Sequence, residues 1–140
     1  KLIVGNVSAD DWERVGGWGS GENWLRQFLR DYRSLTGRKY GGALGVHCYV
    51  SENADYCLTR LRQMRNIYSG EMWVTEFGVQ TGDLKQFQRM YQYISTHFTR
   101  WAAYSNRQPH TGEGWELATG VEMVNSDGSL TAIGAWYAQR

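Results

Sequence analysis

Glu71-Met-Trp-Val-Thr-Glu76-Phe-Gly-Val79 is the stretch on which the reading of this chain turns. After the opening Glu71 it is a short, largely apolar run that carries one carboxylate toward its C-terminal end and meets a glycine two residues later. That pattern predicts a strand over Met72 to Val79 with the glycine near its end. Where parallel strands are wrapped by helices into a barrel, side chains at the strand C-termini and in the loops that follow build the active site, while the opposite end serves stability. Glu76 is therefore the first candidate for an acid or a nucleophile. The bland alternative is a carboxylate that caps the next helix or pairs with an arginine.

Working outward, the same grammar recurs on both sides. Upstream, Gly42 to Val50 reads as a strand. A helix from Ala54 to Ser69 follows, with Leu58, Leu61, Met64 and Tyr68 on one side and Gly70 beyond its end. Downstream, Leu84, Phe87, Tyr91, Ile94 and Phe98 share a helical face, and Asp83 is placed to cap it. Near the start, Lys1 to Val7 reads as a strand buried on both faces. A glycine-rich loop from Ser8 to Gly21 leads to Trp24, Leu25, Phe28, Leu29, Tyr32 and Leu35 at helical spacing, stopped by Gly37. Arg100 to Ser105 is a fourth, less regular strand. It is followed by an excursion from Asn106 to Gly120, the segment Val121 to Asn125, and a short helix from Thr131. Strands alternating with helices predict an α/β fold with right-handed parallel crossovers. Periodicity leaves two architectures open, an open doubly wound sheet and half of a closed barrel. No linker or second domain is visible, so residues 1–140 read as a single domain.

A net charge of +1, with 21% charged and 41% hydrophobic residues, carries no electrostatic signature for nucleic acid or an anionic membrane. No apolar run approaches the roughly 20 residues of a membrane span. The chain opens with Lys rather than Met, so the absence of a leader says nothing about its compartment. Neither a zinc-like Cys/His spacing nor a phosphate-cradling glycine fingerprint occurs, and no metal or cofactor is expected. The two cysteines, Cys48 on the predicted strand and Cys57 near the start of the helix after it, fit either a local disulfide or buried free thiols. Aromatic content is the unusual quantity: Trp 7 and Tyr 9 against Pro 1. Part of that builds core, but flat aromatic faces also stack on the apolar faces of sugar rings.

Trp73-Val-Thr-Glu76-Phe-Gly78 resembles the seventh-strand signature of the clan A retaining glycoside hydrolases, which are (β/α)8 barrels. Gly45-Val-His47-Cys-Tyr49 is similar to their sixth strand, and Asp127-Gly-Ser-Leu-Thr131-Ala-Ile-Gly134 to the turn into their last helix. The three motifs stand in the right order, and the likeness runs from Lys1 to Arg140. It implies a (β/α)4 half of a TIM barrel, strands 5 to 8 with their helices, because such a barrel takes about 250 residues and rarely fewer than about 200. The clan's general acid is a Glu after an Asn near the end of the fourth strand, and no Asn-Glu pair occurs here. The resemblance therefore implies a catalytic-domain fragment of a retaining glycosidase that carries the nucleophile and lacks the general-acid half, with that half expected before Lys1. Its partners would be a carbohydrate substrate and either the missing N-terminal half or a second copy of the chain, since half a barrel leaves strand edges unpaired. Alone it should hydrolyse little. The alternative is a noncatalytic carbohydrate-binding or self-assembling half-barrel module.

Retaining chemistry needs two carboxyl groups about 5 to 5.5 Å apart, and the resemblance gives Glu76 the attacking role. His47 and Tyr49 share a side of their strand and should face the barrel mouth beside Glu76. There the Tyr49 hydroxyl could hold the carboxylate, and His47 could bind a sugar hydroxyl. A lone His and Tyr on one strand are otherwise a satisfied core pair. Trp12, Trp18 and Trp115 are candidate sugar platforms on loops. Tyr104 stands near the place where the clan carries a tryptophan, and Trp101 reads as core. Glu52, Asp55, Glu113, Glu116 and Glu122 read as solvated surface charge, and Asn6-Val-Ser8 as an improbable glycosylation acceptor on a strand.

Overall fold

The computed structural model describes residues 3–9, 21–104 and 121–140. Its elements follow the order β1 (Ile3–Ser8), α1 (Gly21–Thr36), β2 (Ala43–Val50), α2 (Ala54–Ile67), β3 (Met72–Val79), α3 (Leu84–His97), β4 (Arg100–Ala103) and α4 (Ala132–Tyr137). The four strands form one parallel sheet in the order β1-β2-β3-β4. Sequential parallel order with a helix at each crossover is the (β/α)4 arrangement of half a TIM barrel.

Helices α2, α3 and α4 each begin where a side chain supplies a partner for orphan backbone N–H groups. Asn53 accepts from Asp55 N–H at the start of α2, Asp83 from Lys85 and Gln86 N–H at the start of α3, and Thr131 from Gly134 N–H at the start of α4. Helix α1 stops at Gly37, whose φ of 68° is the left-handed conformation a glycine adopts freely.

The core lies between sheet and helices. Leu44, Val46, Cys48 and Val50 alternate onto the helix side of β2 and are buried, as are Met72, Val74, Phe77 and Val79 on β3. They meet Leu58, Leu61 and Met64 of α2 and Phe87, Met90 and Ile94 of α3, with the Phe77 and Phe87 rings stacked at 5.2 Å. Each such side chain contributes roughly 1.5–3 kcal/mol by leaving water, an amount that swamps local strand or helix preference.

One irregularity in this sheet decides which way Glu76 points. Val46 pairs with Val74, but the next β2 residue, His47, pairs with Glu76, so Thr75 is an extra residue on β3. The β3–β4 ladder breaks at the same place, since Trp101 pairs with Val74 and Ala103 with Phe77. This is a β-bulge. Strict alternation from Val74 would turn Glu76 toward the helices; the bulge turns it to the other face and Phe77 into the core. The Thr75 hydroxyl donates to Val46 O at 3.3 Å, giving an acceptor at the disrupted ladder a partner.

Strand β3 keeps its expected bounds and runs through Gly78 to Val79. Gly78 is there for close approach, because a Cβ would lie 2.9 Å from Tyr104 O and 3.2 Å from Val121 Cγ1. Several expectations change. Helix α2 ends at Ile67 rather than Ser69, and β4 at Ala103 rather than Ser105. Leu35, expected on the apolar face of α1, is 86% exposed, since it lies in the last turn beyond the reach of the sheet. Of the two cysteine readings, the disulfide holds: Cys48 and Cys57 are bonded, with Cα atoms 5.8 Å apart.

Candidate active site

β2 and β3 deliver the candidate residues to one place. His47 and Tyr49 project from the face of β2 opposite the core, and the bulge brings Glu76 of β3 into register with His47. The Tyr49 hydroxyl donates to Glu76 Oε2 at 2.6 Å. His47 Nδ1 lies 3.4 Å from the same oxygen. Among the described residues Glu76 Oε1 accepts no hydrogen bond. The carboxylate is 34% exposed, open enough to be met by a molecule from outside. One oxygen is thus held and the other is available.

The electrostatics follow from that geometry. Burial, and next the carboxylate that accepts its proton, push the Tyr49 phenol far above the ordinary tyrosine range. Tyr49 is consequently a hydrogen-bond donor at neutral pH. For His47 burial lowers the imidazole pKa, and the negative Glu76 acts in the opposite sense with a smaller effect. The ring is therefore neutral at neutral pH, and its contact with Oε2 is that of a dipole beside a carboxylate rather than an ion pair.

Tyr104 closes the rim just beyond β4. Its ring stands edge-on to Tyr49 with centroids 6.0 Å apart, and it is 38% exposed. The two tyrosines converge over Gly78, where a Cβ would also lie 3.4 Å from the Tyr49 ring. The structure thus brings together Glu76, His47, Tyr49 and Tyr104. Trp12, Trp18 and Trp115 fall outside the described residues, as do Glu113 and Glu116. Asp55, read as surface charge, pairs with Arg89 Nη2 at 2.5 Å away from the site, and Trp101 packs against the core with its ring edge-on to Tyr91.

Sequence reasoning missed Thr75 and Gly78 as parts of the site. Within one strand a bulge shows only as a slip in alternation, and a glycine gives no sign of what it approaches across the sheet. The available signal was the excess of one residue between Val74 and Phe77 on the apolar face. A cavity of about 410 Å³ lies nearer the N-terminal half of β3 and β4, lined by Trp73, Thr75, Thr99, Arg100 and Trp101 among others, and does not include Glu76. No group of three or more His, Cys, Asp or Glu suited to a metal ion occurs among the described residues. No helix there is long and apolar enough to cross a membrane.

A family model described as a glycosyl hydrolase catalytic core matches residues 3–137. Among solved structures, the chain is similar to a GH128 (subgroup II) endo-β-1,3-glucanase from Sorangium cellulosum, with a TM-score of 0.64 and 15% identity over 94% of this chain and 53% of that one. It is also similar to a GH128 (subgroup VI) exo-β-1,3-glucanase from Aureobasidium namibiae, with a TM-score of 0.62 and 17% identity over 84% of this chain and 47% of that one. The chain spans about half the length of these structures. No curated protein sequence matches it.

Proposed function

This chain belongs to the glycosyl hydrolase catalytic core family, and from that membership we propose that it carries the nucleophile half of a retaining β-glycosidase, with Glu76 as the nucleophile. The observation that carries the reading is the Tyr49–Glu76 hydrogen bond of 2.6 Å, which occupies Oε2 toward the C-terminal ends of parallel strands and leaves Oε1 without a partner among the described residues. In the first step Oε1 forms a bond to the anomeric carbon while the bond from that carbon to the leaving oxygen breaks. The electron pair goes to the leaving oxygen, which takes a proton from a general acid. In the second step water attacks the anomeric carbon, gives its proton to the same acid residue, and Oε1 departs. Tyr49 and His47 orient the carboxylate, and His47, Tyr104 and the loop tryptophans Trp12, Trp18 and Trp115 bind sugar.

β1 to β4 correspond in this reading to strands 5 to 8 of a complete barrel. The general acid comes from the other half, either on further polypeptide or on another chain. The chain's coverage of about half of its structural neighbours supports this, as does the absence of an Asn-Glu pair. The outer edges of β1 and β4 carry no strand among the described residues, so closure by the complementary half or a second copy is expected. A strictly monomeric, stable species in sedimentation contradicts that part. The substrate proposed is a β-1,3-glucan, from the activity named for both neighbours.

The nucleophile can be tested without the acid. A 2-deoxy-2-fluoro-β-glucoside of a β-1,3-linked disaccharide with a dinitrophenolate leaving group needs no protonation to depart, so a competent nucleophile alone becomes glycosylated. Mass spectrometry should find the label on the peptide holding Glu76, and Glu76→Gln should abolish it, a loss of at least about 10³-fold in rate. A label elsewhere, or equal labelling of the variant, rejects Glu76. Retained glucan binding with no label would point to a carbohydrate-binding module.

A further inference from the structure

We propose that the Cys48–Cys57 disulfide is a positioning element for the Glu76 carboxylate, acting through the two residues that flank Cys48. His47 and Tyr49 both reach Glu76 Oε2, at 3.4 and 2.6 Å, and Cys48 sits between them with its side chain on the opposite face. Its partner Cys57 stands in the first turn of α2, and both cysteines are fully buried. The bond therefore fastens the back of the catalytic tripeptide to a helix that is itself anchored: Asn53 caps it, and Ala54 N–H donates to Gln86 Oε1 of α3 at 3.0 Å.

The position of this bond argues for a local role. The two cysteines are only 9 positions apart in sequence, and closing so short a loop constrains the unfolded chain less than closing a long one. Its effect on overall stability is accordingly limited. The geometric effect, by contrast, falls where tolerance is smallest, since a displacement of about 1 Å in catalytic geometry can cost about 10²-fold in rate. β2 has no other covalent tie near its end, where Gln80 N–H donates to Val50 O at 2.8 Å just past Tyr49.

This inference rests on the reading of Glu76 as a nucleophile for its kinetic test but not for its titration test. The protein is compared in three forms: oxidised, treated with dithiothreitol, and as the double variant Cys48→Val with Cys57→Ala, which keeps apolar side chains at both buried positions. In the treated form the disulfide becomes two thiols while the dithiol closes to its cyclic disulfide. In the two unbonded forms the maximal rate of Glu76 labelling by the fluoroglycoside should fall about tenfold or more, with the half-saturating concentration within about twofold, as expected for a change in positioning rather than binding. Far-UV circular dichroism should not change. Independently, the His47 titration midpoint, followed by NMR and assigned with His47→Gln, should rise toward the ordinary histidine value as the end of β2 loosens and water reaches the ring. Among the described residues the titratable groups at that ring are Glu76 from β3 and Tyr49 from its own strand, while β1 presents Ser8 in register. Unchanged labelling together with an unchanged midpoint overturns the proposal. So does loss of labelling accompanied by collapse of the dichroism, which would make the bond a support for the fold. If the oxidised chain takes no label at all, the nucleophile reading fails by itself, and the His47 titration still decides whether the disulfide positions the site.

Discussion

Tyrosines stand at both ends of β2 and do opposite work. At the start of the strand Tyr40 donates to Ala43 O at 2.9 Å and Tyr68 to Gly42 O at 2.5 Å. Toward its end Tyr49 donates to the Glu76 carboxylate at 2.6 Å. Burial is the main cause that raises the phenol pKa in all three, assisted by neighbouring tyrosines at Tyr40, by Glu71 at Tyr68 and by Glu76 at Tyr49. A perturbed ionisation therefore does not separate the two ends. The acceptor does: a backbone carbonyl at one end, and at the other a side-chain carboxylate whose second oxygen accepts no hydrogen bond among the described residues. The basal pair closes the bottom of the sheet, and the rim tyrosine holds the carboxylate proposed as the nucleophile, the division of labour expected between the two poles of a barrel.

The sharpest way to break this comparison is to remove the same hydroxyl from each end. Tyr49→Phe deletes a preorganised donor to the carboxylate proposed as the nucleophile. It should cost about 10²–10³ in the Glu76 labelling rate, or about 2.7–4 kcal/mol of barrier. Its melting temperature should move little, because the partly exposed carboxylate can turn to water. If Tyr49→Phe labels as fast as the parent, the rim hydroxyl is no more catalytic than the basal ones.

Gly78→Val tests the rim by crowding rather than deletion. Its Cβ would meet Tyr104 O at 2.9 Å and Val121 Cγ1 at 3.2 Å, and the backbone oxygen cannot yield as a flexible side-chain tip can. A cost of about 1–3 kcal/mol in stability is expected from overpacking, with a slower labelling rate as Tyr49 and Tyr104 are pushed apart. Chemical denaturation and labelling read the two effects separately. A variant of parental stability would show that the approach of Tyr104 to β3 does not depend on the glycine.

The contrast between the two poles also explains what was legible in the chain. Strands and helices were, because burial of Leu58, Leu61, Met64, Phe87 and Ile94 imposes the 3.6-residue period on the sequence. Asp83 was legible as a cap because an N-cap is a local chemical event. His47 and Tyr49 were placed together correctly because β2 alternates without interruption. Thr75 was not, because a bulge is a property of two strands in register, and neither strand states it alone. The basal role of Tyr40 and Tyr68 was hidden too: their hydroxyls bond backbone carbonyls that no sequence pattern identifies. Nor did spacing choose between a disulfide and two thiols, since only the fold brings the Cα atoms of Cys48 and Cys57 to 5.8 Å.

Tyr68→Phe is the complementary measurement at the base. It removes a hydrogen bond to a backbone carbonyl and should cost about 1 kcal/mol of stability, a drop of a few degrees in melting temperature. Labelling of Glu76 should be unaffected. A loss of labelling rate in Tyr68→Phe without loss of stability would mean that the two poles communicate, and their division of labour would fail.

The smallest effect expected is an acid-side slope from the rim, because among the described residues only there does a histidine lie beside a carboxylate. His47 in the folded chain is lowered from its ordinary value of about 6.5 by burial, with Glu76 opposing. Between the folded and unfolded values the unfolded chain binds more protons at this ring, so stability rises with pH there. The contribution is complete above about pH 6.5 and is lost as pH falls from there through the lower, folded value. Urea midpoints measured at pH 7.5 and pH 5.5 should accordingly diverge more for the parent than for His47→Gln, which cannot take up the proton. The comparison of the two proteins isolates what the ring itself contributes. Equal losses in the two would mean that burial does not lower the ring's value, whereas a smaller loss in the parent would mean a raised folded value and an ion pair between His47 and Oε2.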